Sequence, residues 1–289
     1  MIFDYWDILL LLVITVQSTF LAYIYHPQWK AFMLSLPFPF TVAVLAVGKP
    51  VNVTNMTGLI LLLLFSHCVR ILYNNFKINI FMAIVFAAML YCLLGWGISI
   101  SLPRNPMTFW GSAVLVIMIA VGNLAVQPHK NESGQKSLMP IWAKLLVILC
   151  IVMLLITMKN ILSGFITVFP MVGVIAAYEA RKALWTVSRQ IPVVMLTLGP
   201  MIMAIYIFQS AYGRYWSLVI GWIVFLALFI PYSYWATLHF AGANLNGSKS
   251  GDLYRTIHGS VRKIPVPERT VTLSGCNVIH IDVTHWTLT

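Results

Sequence analysis

The chain has 289 residues, of which 60% are hydrophobic and 9% charged, with a formal net charge of +11. No water-soluble domain of this length can hide so much apolar side chain, so the bilayer is the solvent for most of it. The basic residues are spread thinly between apolar runs instead of clustering on one segment, which argues against nucleic acid as a partner.

A spanning helix needs roughly 17–25 apolar residues, and reading along the chain gives about nine candidates. They are Ile8–Tyr25, Phe32–Val47, Met56–Tyr73, Ile78–Ser101, Met107–Val126, Ile141–Thr157, Ile161–Tyr178, Ile191–Phe208 and Tyr215–Leu238. The first begins with Asp4 and Asp7 and has no basic flank, so it reads as a retained helix and not as a cleaved signal. The second and seventh are short and interrupted by proline. Cys68, Cys92 and Cys150 sit inside apolar runs, as packing residues do. Between spans lie clear breaks such as "GKPVNVTN", "LPRNP" and "QPHKNESGQKSLMP". Asn52-Val-Thr54 and Asn55-Met-Thr57 have the form of glycosylation acceptors.

Counting alternate connections, one side of the membrane holds Lys49, Arg104, Lys159 and Arg214, and the other holds the remaining fourteen basic residues. The richer side is cytoplasmic by the positive-inside rule, which puts the N-terminus outside and the C-terminus inside.

Phe38-Pro39 and Phe169-Pro170 lie at the middle of the second and seventh apolar runs. About ten residues after each comes a charged turn, Gly48-Lys49 or Glu179-Ala180-Arg181, and then another apolar helix. The two runs are five spans apart, so they cross the bilayer in opposite senses. That is the layout of an inverted repeat whose interrupted helices meet near the midplane. The expected organisation is a four-helix half (1–101), a linker helix and loop (102–140), a second four-helix half (141–240) and a cytoplasmic tail (241–289). Proline removes a backbone donor and frees a carbonyl one turn back, and in hydrocarbon that carbonyl needs a partner.

The second half also resembles the GlpM-like family of small bacterial membrane proteins, which have four predicted helices. The likeness covers about residues 141–240. It rests on Gly164, Phe169 and Pro170 in a Gly-x4-Phe-Pro motif, a charged turn, and a helix opening near Ile191-Pro192. The first half echoes it through Phe38-Pro39. The family is one unit long and is associated with envelope polysaccharide (alginate) production in pseudomonads. The resemblance therefore implies a bacterial inner-membrane address and a multi-pass helical fold.

Few residues offer chemistry. Glu179 closes an apolar run and reads either as an interfacial charge, paired i, i+3 with Lys182, or as a proton- or cation-coupling site. His67 with Arg70 one turn on reads either as a pair lining a cavity or as a hydrogen-bonded histidine beside a snorkelling arginine. In the tail, "RTVTLSGCNVIHIDVTHWTLT" alternates like two short strands, and His280 and Asp282 share a face from which His285 points away, so no metal site forms. There is no phosphate loop, nucleophile elbow or paired carboxylate, so enzyme chemistry and a cofactor are not expected. The expectation is a transporter or permease-like protein with Phe38, Pro39, Phe169, Pro170, Glu179, His67 and Arg70 at its solute site. The other reading is a non-catalytic accessory or scaffold protein for envelope polysaccharide or lipid assembly. Its expected surroundings are lipid bilayer, a small solute, and membrane-protein partners or a homo-oligomer.

Overall fold

The computed structural model describes residues 5–24, 27–126, 164–179 and 183–257, together with Leu162 and Arg181. The sixth predicted span, the loop before it and the tail beyond 257 with its His280, Asp282 and His285 lie outside the described residues. Every element among the described residues is helical. Four helices, Val53–Asn74, Ile80–Ser101, Pro106–Val126 and the stretch Leu184–Ser233, are long and apolar enough to cross a membrane, and shorter apolar helices accompany them. This is the fold of a helical membrane protein.

The helix limits follow from local chemistry. Helix α1 (Tyr5–Tyr23) turns one stripe, Leu10, Ile14 and Leu21, into the core. The second apolar run is divided into α2 (Pro27–Ser35) and α3 (Phe38–Val47) at Leu36-Pro37. Helix α3 stops at Gly48, whose φ of 69° is left-handed and whose N–H bonds Val44 O at 3.2 Å, the usual glycine exit from a helix. Helix α4 (Val53–Asn74) opens with a capping box: Asn52 Oδ1 accepts from Thr54 N, and Asn55 Oδ1 accepts from Asn52 N, each at 2.9 Å. Helix α5 (Ile80–Ser101) is capped by the Asn79 side chain. Helix α6 (Pro106–Val126) begins with proline in the first turn, where no donor is needed. The seventh apolar run is also divided, into α7 (Phe165–Val168) and α8 (Met171–Glu179), at Phe169-Pro170.

The last helix, α9 (Leu184–Ile257), cannot be one rod, since 74 residues at about 1.5 Å each would exceed three bilayer thicknesses. It reverses at Gly213, where φ 73° and ψ 178° are open to glycine alone. The two arms then pack together so closely that a Cβ on Gly221 would lie 2.8 Å from Ile205 Cγ1. The second arm runs well past the predicted end at Leu238, so the first part of the expected tail, 244–257, is helical.

Residues up to Pro231 form one compact unit and Tyr232–Thr289 a second. The two predicted four-helix halves are therefore not separate bodies; their helices interleave. One apolar core joins α1, α3, α4, α5, α7 and α8, and another joins α3, α4, α6 and both arms of α9. On α5 the buried stripe is Ile80, Ala83, Ala87, Tyr91 and Gly95, while Phe81, Phe86, Leu93 and Trp96 are exposed. An outward face as apolar as the inward one is a face toward lipid.

Candidate solute cavity

Each interrupted helix has lost part of its ladder, and in each a side chain from another helix meets the freed carbonyl: at the first break Gln17 of α1 donates to Met33 O at 2.7 Å, and at the second Tyr91 of α5 donates to Phe165 O. At the second break, Phe169 N bonds Ile166 O (3.3 Å) in a tight turn, so the carbonyl of Phe165 has lost its regular i+4 donor. Tyr91 of α5, fully buried, donates its hydroxyl to that carbonyl at 2.9 Å and sets its ring edge-on to Phe169. At the first break, Pro37 O accepts from both the N–H (3.0 Å) and the hydroxyl (2.9 Å) of Thr41. The Thr41 oxygen in turn accepts from Trp222 Nε1 of the second α9 arm at 2.9 Å. Tyr91 and Trp222 are separated by the same 131 residues as Phe38 and Phe169 (91 to 222, 38 to 169).

Between the two breaks lies a cavity of about 90 Å³, room for roughly half a dozen waters. Its walls include Pro37 and Pro39 from the first break, Phe169 and Pro170 from the second, and the facing stretches Leu62–Val69 of α4 and Leu184–Leu198 of α9. It thus occupies the half of the bundle nearer Asn74 and Leu184. Most of the lining is apolar. The side-chain polar atoms are four hydroxyls, from Ser35, Ser66, Thr167 and Ser188, all on buried residues. Ser66 Oγ bonds Ser188 Oγ at 3.0 Å, joining α4 to α9, and Gln190 Nε2 donates to Ser35 Oγ at 2.6 Å, joining α9 to α2.

The opposite end of the bundle is closed more thoroughly. Asn55 donates to Thr167 Oγ1 at 2.8 Å, and Thr167 Oγ1 donates to Gly164 O at 2.7 Å. Gly164 fits because it has no side chain: a Cβ there would overlap the Thr54 hydroxyl and lie 2.6 Å from Asn55 Oδ1. Gln209 bonds both backbone groups of Val51, accepting from its N–H and donating to its carbonyl at 2.8 Å each. Arg214 donates to Gly48 O.

These placements sort the residues expected at the site. Pro39, Phe169 and Pro170 line the cavity. Phe38 does not: it is half exposed and packs its ring 5.0 Å from Trp222. Pro39 also does not break its helix, because it stands in the first turn of α3, and the interruption comes two residues earlier at Pro37. His67 lies outside the lining and bonds Leu63 O through Nδ1 at 3.0 Å. Arg70 stacks over the Trp185 ring, 4.3 Å from its centre, one turn beyond Ser66 on the same helix face. Glu179 ends α8, and its side chain lies outside what the structure describes. Asn55 is 2% exposed and fully engaged, so it cannot carry a sugar, and the Asn52 side chain is spent on its cap.

Compared with known proteins, the chain matches no family model, no curated protein and no solved structure.

Sequence reasoning did not single out Tyr91, Trp222, Asn55, Thr167 or Gln209 as parts of this assembly. Tyr91 and Trp222 did leave a signal, since their spacing repeats that of the two Phe-Pro pairs. The serine pair left none: Ser66 and Ser188 are 122 residues apart and become neighbours only through helix packing.

Proposed function

We propose that this chain is a membrane transporter of nine spans, built as two inverted four-helix halves around a linker helix, that moves a small solute through the cavity between its broken helices. The observation that carries the reading is that cavity. Interrupted helices at matching positions of two halves, meeting around a space deep in the bundle, form the solute site in transporters of inverted-repeat design. Reciprocal packing supports the repeat: Tyr91 of α5 sets its ring 5.0 Å from Phe169, Trp222 of the second arm of α9 sets its ring 5.0 Å from Phe38, and both pairs share one sequence offset. A scaffold would want this interface filled, because an empty volume costs packing energy.

The likeness to GlpM-like proteins extends the proposal to a bacterial inner membrane. The charge distribution extends it to an outside N-terminus and an inside C-terminus. The Gly48–Arg214 contact supports the pairing of sides, by joining two connections assigned to the same one. In that frame the thick closure lies outside, the cavity lies toward the cytoplasm, and the Ser66–Ser188 and Gln190–Ser35 bonds form the thinner inner gate.

The test uses single cysteines at Ser66 and Ser188 in inverted and right-side-out vesicles, on a background lacking the native cysteines. Small thiol reagents should modify both from the cytoplasmic face faster than from the outside, and a transported solute should slow the reaction. Two cysteines that resist reagent from either face would end the transport reading.

A further inference from the structure

The chemistry of the cavity wall, taken with the transport reading above, names a class of solute. We propose that the cavity takes a small uncharged polyol or alcohol. Among the described residues, none that lines it is Asp, Glu, Lys, Arg or His. A charged solute there would leave water with no opposite charge to meet it, at a cost of many kcal/mol. A purely apolar solute would leave the open lone pairs of these buried hydroxyls without a donor.

The hydroxyls define what the solute must offer. Each hydroxyl oxygen has one proton and two lone pairs. The Ser66 proton goes to Ser188 Oγ, the Thr167 proton goes to Gly164 O, and Ser35 accepts from Gln190. Lone pairs on Ser66 and Ser188 stay open to a donor on the solute. Across the cavity, α3 and α8 both begin at the lining, and the first-turn N–H groups of a helix are not taken by its own carbonyls. That wall calls for an acceptor. A hydroxyl donates and accepts through a single atom and, unlike an amine, stays uncharged at neutral pH. The remaining surface, from Leu62, Phe65, Val69, Val187 and Leu198, is apolar and suits the carbon skeleton. Space for roughly half a dozen waters limits the solute to about three or four carbons.

The experiment compares two solutes of the same skeleton, glycerol and glycerate, with erythritol as a larger polyol. Vesicles carrying the full chain are shocked with each, and re-swelling is followed by light scattering against protein-free vesicles. Glycerol and erythritol should enter several-fold faster with protein than without, and glycerate should not. Ser66→Ala and Ser188→Ala should each lower polyol entry several-fold, while Ser188→Thr, which keeps the hydroxyl, should retain most of it. Leu62→Phe narrows the cavity without touching a hydrogen bond and should also block entry, so the result does not hang on the serine variants folding. Entry of glycerate without glycerol overturns the solute class and leaves transport standing. Entry of neither overturns both. Polyol entry that ignores every cavity substitution overturns the assignment to this site.

Discussion

At the scale of single residues, the structure depends on a few polar side chains that finish broken backbone ladders. Tyr91→Phe keeps the ring against Phe169 but strips the donor from Phe165 O, which is then buried with no hydroxyl to meet it. We expect a loss of about 1–2 kcal/mol, the usual cost of orphaning a buried polar group. Gln17→Leu should cost a similar amount by removing the donor to Met33 O, the carbonyl that Pro37 leaves without its i+4 N–H. Thermal unfolding in detergent measures both, and unchanged midpoints in the two variants would show that the breaks need no such partner. Glycines divide in the same way. Gly164→Ala drives a Cβ into the Thr54 and Asn55 side chains that cap α4, whereas a Cβ on Gly97 meets nothing within 4 Å. The first should destabilise the fold by about 2–3 kcal/mol, in the range of core overpacking. The second should be neutral, or stabilising by up to about 1 kcal/mol from helix propensity. Equal unfolding midpoints for the two variants would contradict this placement.

At the scale of elements, the two interruptions are the working parts, and they differ in which proline makes them. Pro170 stands between α7 and α8, and Pro37 stands between α2 and α3, while Pro39 lies harmlessly in a first turn. Alanine at Pro170 or at Pro37 restores a donor and a helix-compatible residue where the chain must stay open. Solute flux should fall in both while the proteins still insert and fold, and Pro39→Ala, which trims the cavity wall but leaves the break at Pro37 in place, should lower flux less than either. A loss confined to Pro39→Ala would mean the breaks have been assigned to the wrong residues. The inner gate has its own test. Ser66 and Ser188 touch through their hydroxyls at 3.0 Å, which brings the positions within range of a disulfide. In the double cysteine variant, oxidation should stop flux and reduction should restore it. Flux that persists through complete cross-linking would remove this contact from the gate.

At the scale of the whole molecule, topology is the claim to check, and the structure selects the probes. Asn55 is buried and unsuitable for labelling, but Lys49, Asn105 and Lys77 are all exposed. Cysteines at Lys49 and Asn105 should react with an impermeant reagent in intact cells, and one at Lys77 only after lysis. The reverse pattern would invert the orientation. The two halves should also not fold alone, since α1, α4 and α5 bury their inward apolar residues against α7, α8 and α9. Residues 1–126 expressed by themselves should therefore be degraded or aggregate, and recovery of a stable, monodisperse fragment would refute the interleaved architecture.

The sequence by itself determined the solvent, the helical class, the approximate limits of the described long helices and which two apolar runs are interrupted by proline. Each of these is written in local chemistry: apolar runs of bilayer length, an asparagine before a helix, a glycine after one, a proline without a donor. It also held one long-range clue, the shared spacing of Tyr91–Trp222 and Phe38–Phe169. Only the tertiary structure decided that Pro37 rather than Pro39 ends the first short helix, that Phe38 packs on Trp222, and that Asn55 is a buried connector and no sugar acceptor. It also decided that a cavity lined by hydroxyls, with no ionisable side chain among the described residues, occupies the space between the breaks. Periodicity could not reveal these facts, because a span in lipid is apolar on every face. The pattern that tells inside from outside in a soluble protein is largely absent, so which side chains meet is settled by close packing between residues more than a hundred positions apart.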